Sequence, residues 1–195
     1  MKTIFTIGIV ITLIGCNYDR DMARYSKLAD KELSTGRRVD SVFFGIHFGM
    51  KQKDFFSHCM MMNKKGIFTD GNDHRGNMNV LYKLNSELKY PASMNFYPDF
   101  NHDSIWKVRV NFHYTGWVPW NKSLNADSLL LDVLTMFNKW YKDGNSFLQI
   151  KDEKRGTVYV KVDGNRRIAI RKLDDMMVTG EITDMPVEQQ LKENR

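Results

Sequence analysis

Cysteine is almost absent: Cys16 and Cys59 are the only two in 195 residues, which excludes a disulfide-stapled scaffold. Proline is scarce at four, and no proline-rich linker or low-complexity stretch divides the chain. Neither sign of charge dominates. Lys and Arg number 29 against 23 Asp and Glu, a surplus far short of a nucleic-acid-binding domain. No apolar run reaches the ~20 residues that cross a bilayer as a helix. Catalytic signatures are missing as well: the chain contains no HExxH, CxxC or G-x-S-x-G, and no Walker or Rossmann glycine pattern. What it does have is aromatic mass. Twelve Phe, eight Tyr and four Trp give it enough apolar surface for a folded domain and exclude a disordered chain.

The first sixteen residues carry an address. Lys2 supplies a short positive n-region, and Ile4 to Ile14 form an apolar stretch broken only by Thr6, Gly8 and Thr12. Its length fits a signal-peptide h-region and is too short for a spanning helix. It ends in Leu13-Ile14-Gly15-Cys16, which resembles the lipobox of bacterial lipoproteins. The resemblance implies cleavage after Gly15, diacylglycerol on the Cys16 thiol, and an acyl group such as palmitate on the new amine. Two or three acyl chains, at ~0.8 kcal/mol per buried methylene, make such an anchor effectively permanent. The expected location is therefore the cell envelope, on a membrane and outside the cytoplasm. Cys59 is then left as the single free thiol.

Beyond the signal, residues 16–38 are polar, with Met22, Tyr25 and Leu28 at three-residue spacing, as in a short helix or a flexible tether. Ser41 to Phe48 reads as a strand closed by Gly49. Lys51 to Asn63 reads as a helix, with Phe55, Cys59 and Met62 on one stripe and Phe56 and Met60 beside it. Gly66 follows at a C′ position. Strand candidates come next at Ile67–Thr69, Asn79–Leu84, Ser93–Tyr97 and Ile105–Tyr114, with turn signals at Asp70-Gly71-Asn72 and Asp99–Asp103. A second helix is predicted from Asn125, its N-cap, to Lys142, with Leu129, Val133, Met136, Phe137 and Trp140 on one face and Gly144 as its stop. Four more strand candidates follow at Phe147–Ile150, Val158–Val162, Arg167–Leu173 and Met177–Ile182, the middle pair joined by Asp163-Gly164-Asn165. Residues 186–195 read as a polar tail.

This order predicts an α+β domain over 39–185, with helices packed on antiparallel sheet in two helix-plus-four-strand units, about 41–114 and 121–183. It resembles the tandem architecture of β-lactamase inhibitor protein. The opening Phe44-Gly45-Ile46-His47-Phe48-Gly49-Met50 is similar to motifs in lipoproteins of the Bacteroides group. It is also loosely similar to the small lipoprotein of the outer-membrane β-barrel assembly machine. Such motifs carry Ser or Thr after the Gly-Met; here Lys51 stands in that place.

Several local patterns bear on chemistry. His58 and Cys59 are adjacent on a helix, so their side chains diverge by ~100° and do not pair with one another. Asp99, Asn101 and Asp103 match the start of a calcium loop, yet Ser104 replaces its glycine and Val110 its terminal Glu. Asp70, Asp73 and His74 form a second oxygen- and imidazole-rich loop. Each reads as a solvated turn or as half of a metal site. Trp117-Val118-Pro119-Trp120 places two tryptophans around a proline, as an aromatic anchor for a partner or as a cap on the core beneath the second helix. Lys139 to Lys172 holds ten basic residues against four acidic ones. Strand alternation sets Arg167 and Arg171 on one side and Ile168 and Ile170 on the other.

These readings favour a lipid-anchored binding or assembly module that acts by surface contact and is not an enzyme. The expected contact residues are Trp117, Trp120, Arg167 and Arg171. The expected partners are the membrane, through the anchor, and an envelope protein or other anionic surface; no nucleic acid, cofactor or metal is expected. Two alternatives remain open. One is a metal-assisted hydrolase built on Asp73, His74, His102 and Asp103, and the other an inhibitor or immunity-like protein suggested by architecture.

Overall fold

The computed structural model describes residues 16–72, 78–152 and 154–194; the expected signal peptide, Asp73 and His74 lie outside them. The fold is α+β, with four helices and one eight-stranded antiparallel sheet. The helices are α1 (Cys16–Ser34), α2 (Gln52–Lys64), α3 (Ala126–Trp140) and α4 (Met185–Glu193). The strands are β1 (Phe68–Asn72), β2 (Met78–Leu84), β3 (Ala92–Asn101), β4 (Ser104–Tyr114), β5 (Leu148–Asp152), β6 (Gly156–Asp163), β7 (Arg166–Lys172) and β8 (Met177–Asp184). Across the sheet they run β1-β2-β3-β4-β8-β7-β6-β5.

The two faces of the sheet are covered differently. On one face, α2, α3 and the 42–50 segment enclose the main core. Val108, Val110 and Phe112 of β4 and Ile168 and Ile170 of β7 meet Leu129, Val133 and Phe137 there. On the other face, α1 lies on β5 and β6. Met22, Tyr25, Ala29 and Leu33, one stripe at helical spacing, pack on Ile150, Val158, Val160 and Val162. β6 is therefore apolar toward α1 on its even-numbered residues, as period-2 alternation requires. Residues 16–34 thus form a helix seated on the sheet, and the first part of the expected tail is α4, begun by a proline in its first turn.

Two expectations need correction. Ser41 to Phe48 is no strand. Val42 N–H donates to the Ile46 carbonyl (2.9 Å) and Ile46 N–H to the Phe43 carbonyl (2.9 Å), closing a tight loop whose ends meet each other in an isolated Ser41–His47 bridge. Gly45 has φ +81°, and Phe44 itself has φ +50°, a conformation an alternating apolar pattern does not reveal. The loop drops Val42, Phe43, Ile46 and Phe48 into the core. Phe56, expected on a buried stripe, is 36% exposed, while Phe55 is buried.

α3 begins as expected, with the Asn125 side chain accepting from Ser128 N–H at 3.0 Å. α2 has no such side-chain cap at Lys51. Its first donor goes elsewhere: Gln52 N–H reaches the Asp103 carbonyl at 3.0 Å, and Lys51 Nζ donates to Ser104 Oγ at 2.9 Å. The β3–β4 turn thus takes up the start of α2.

Candidate functional site

After β4 the chain turns through Gly116 into the tryptophan segment. Trp117 is half-buried, and it lines a cleft of about 730 Å³ with Pro119, Asp174, Asp175 and Met176. Asn121 Oδ1 accepts from Ser123 N–H (3.1 Å), Ala126 N–H donates to the Asp175 carbonyl (2.9 Å), and Lys172 Nζ reaches Asp127 at 3.0 Å. The segment is thereby braced against the β7–β8 turn. Trp120 takes no part in that bracing and is 82% exposed. An indole this open is the largest unburied apolar group among the described residues.

The two arginines share a face of β7, as alternation predicts, but differ in engagement. Arg167 makes two hydrogen bonds to Glu188 of α4 (2.9 and 2.8 Å) and one to Tyr25 Oη of α1 (3.1 Å). Burial works against its charge, but Glu188 and Tyr25 outweigh it and hold the guanidinium above its ordinary pKa. Burial likewise pushes Glu188 up, and the hydrogen bond and charge of Arg167 pull it below the usual carboxylate range. Arg167 is the bolt that joins α1, α4 and the sheet. Arg171 is half-buried, and its Nη1 donates to the Lys172 carbonyl at 3.2 Å.

From Arg171 the same face continues across β8, β4 and β3. Arg171, Thr179, Asn111 and Asn95 are cross-strand neighbours in one row, and Ala169, Glu181, Arg109 and Tyr97 in the next. Arg109 pairs with Asp99 at 2.7 Å and Lys107, itself largely covered, with Glu181 at 3.8 Å. Asn95 Oδ1 is buried without a hydrogen-bond partner among the described residues. Sequence reading missed this polar face, although the alternation Lys107, Arg109, Asn111, His113 opposite Val108, Val110, Phe112 announces it.

A cluster of buried charge sits at the other end of the sheet, around the β6–β7 turn. Asp163 pairs with Arg166 (2.8 Å) and with Arg37, and Arg166 Nη1 donates to the Ser41 carbonyl (2.6 Å) while its guanidinium lies 4.6 Å from the Tyr141 ring centroid. Burial pulls the Arg166 pKa below its ordinary value despite these partners. Arg38 holds Asp184 at 2.9 Å, and Glu32 accepts from Gly164 N–H at 3.0 Å, the bond that does most to lower its pKa. Gly164 has φ +57°, and a Cβ there would collide with the Arg37 carbonyl. This cluster fastens residues 32–41 to the sheet. Asp163→Ala would leave Arg166 buried and unpaired, so a stability loss of about 3–5 kcal/mol is expected in chemical denaturation.

Of the residues considered for catalysis, Asp73 and His74 lie outside the described residues, and the described ones do not form a cluster. Burial pushes the Cys59 thiol up to about 11, so it is protonated at neutral pH and a poor nucleophile. His58 donates through Nε2 to the Phe44 carbonyl at 2.8 Å, and His47 through Nδ1 to Phe48 at 2.9 Å. His102 and Asp103 form the β3–β4 turn with φ of +45° and +63°, and Asp99 is paired with Arg109. Among the described residues no group of three His, Cys, Asp or Glu is placed to hold a metal, and no helix is long and apolar enough to cross a membrane. No family model, no curated protein and no solved structure matches this chain.

Proposed function

We propose that the protein is a lipid-anchored module of the cell envelope that works by surface contact. The signal-like Leu13-Ile14-Gly15-Cys16 supports the anchor. The observation that carries the contact role is Trp120, an indole 82% exposed on a braced loop, since contact energy concentrates in such aromatic anchors. Trp117 beside it and Arg171, with Arg109 on the adjoining polar face, complete the contact set; Arg167 contributes by holding the helices that frame that face. The sheet reads as two helix-plus-four-strand units. The order β1-β2-β3-β4 meeting β8-β7-β6-β5 at the central β4–β8 pair supports this, as does one helix preceding each set of four.

A complementation assay in the source cell tests the contact reading. Arg109→Glu with Arg171→Glu is expected to abolish the cellular role at normal abundance and membrane location. Alanine at Cys59 or His102 is expected to leave it intact. A deletion-like phenotype from a folded, abundant Cys59→Ala or His102→Ala protein would contradict the proposal.

A further inference from the structure

The path of α1 bears on how the module sits on its membrane. The last turn of α1 meets the β6–β7 turn, where Glu32 accepts from Gly164. Earlier in the helix, Met22 and Tyr25 line a hollow with Ile150, Asp152, Arg155 and Val158. α1 therefore runs parallel to β6, from the β5–β6 turn to the β6–β7 turn. From Glu32 back to Cys16 the helix covers ~24 Å at 1.5 Å per residue, and β6 covers ~23 Å from Asp163 to Gly156. Cys16 thus comes level with the β5–β6 turn.

The strand register gathers other segments at that same end. Val158 pairs with Arg171, Lys172 with Val178, and Met177 with His113. The β7–β8 turn and the tryptophan segment after β4 consequently share the end of the sheet reached by Cys16. Here lie Trp120, 82% exposed, and Leu173, 44% exposed, with Lys122, Lys154 and Arg155 at the surface. Among the described residues, the opposite end holds the turns at 101–104 and 163–166, which contribute no exposed large apolar side chain.

Resting on the lipid-anchor reading, we propose that this end faces the bilayer that holds Cys16, with Trp120 seated in the headgroup layer. Indole favours that depth, where its ring leaves water and its N–H keeps a partner. The packed α1 fixes the direction of the anchor, so the acyl chains and Trp120 form two attachment points on one rigid body. The polar face of β3, β4 and β8 then stands beside the membrane, open to other envelope components.

Tryptophan quenching tests the orientation. The acylated full-length protein is reconstituted on phosphatidylcholine vesicles carrying a shallow nitroxide lipid, and its sedimentation with vesicles is recorded. Wild type is expected to sediment and be quenched, Trp120→Phe to sediment and lose at least half of the quenchable emission. Lys53→Trp added to Trp120→Phe, at the far end of α2, is expected not to restore it. Equal quenching in wild type and Trp120→Phe, or restoration by Lys53→Trp, overturns the orientation while leaving the anchor. Failure of the acylated protein to sediment overturns the lipid-anchor reading and this proposal with it.

Discussion

Val133→Asp is expected to leave no folded protein at 25 °C, whereas Lys139→Asp six residues later is expected to change stability by less than about 0.5 kcal/mol. Val133 is 0% exposed on the inner face of α3, in the core with Val110, Phe112 and Ile170. Removing its methyls costs about 1.5–3 kcal/mol of apolar burial. Placing a carboxylate there adds several more, whether the group stays ionised or takes up a proton. The total rivals the 5–15 kcal/mol that holds an ordinary domain together. Lys139 is exposed and makes no such demand. Far-ultraviolet circular dichroism through a thermal ramp separates the two: a cooperative transition for Lys139→Asp, none for Val133→Asp.

The second large effect concerns Cys16. With the thiol replaced, Cys16→Ala is expected to lose lipid modification and, with it, nearly all retention in the membrane fraction. Exposed side chains such as Trp120 do not substitute for acyl chains, since even one myristoyl chain gives only marginal binding. The folded domain is expected to persist, because α1 is held by Met22, Tyr25, Ala29 and Leu33 and by Glu32 rather than by its first residue. Fractionation followed by immunoblotting reads the shift from pellet to supernatant. Undiminished retention of Cys16→Ala would count against the lipid anchor.

The elements with strong periodicity were legible in the chain. α3 declares itself through Asn125, its apolar stripe and Gly144, and the β6–β7 hairpin through Asp163-Gly164-Asn165, whose glycine takes φ +57°. The 42–50 loop was not legible, because Val42, Phe44, Ile46 and Phe48 recur at every second position like a strand, while Phe44 and Gly45 take left-handed backbone that no apolar pattern encodes. α4 was hidden by its polarity: beyond buried Met185 at its start, it is held to the sheet by the Arg167–Glu188 pair, a contact 21 residues apart in sequence. Of the four residues expected at the surface contact, Trp120 is open and Trp117 and Arg171 are half-buried. Arg167 lies under α1 and α4, since alternation reports which face a side chain takes and not what covers that face. The charge cluster around Asp163 and Arg166 escaped for a related reason. Each of its residues is unremarkable alone, and only the fold brings Glu32, Arg37 and Asp184 to the same turn.

The central claim is that Cys16 becomes the lipidated first residue of an envelope-anchored module. Intact-mass analysis of the protein extracted from membranes of its source cell tests this most directly. A chain beginning at Cys16 and heavier than its peptide mass by diacylglycerol, with or without a further acyl group, is the predicted result. A membrane-extracted chain that retains residues before Cys16 and carries no lipid would contradict it.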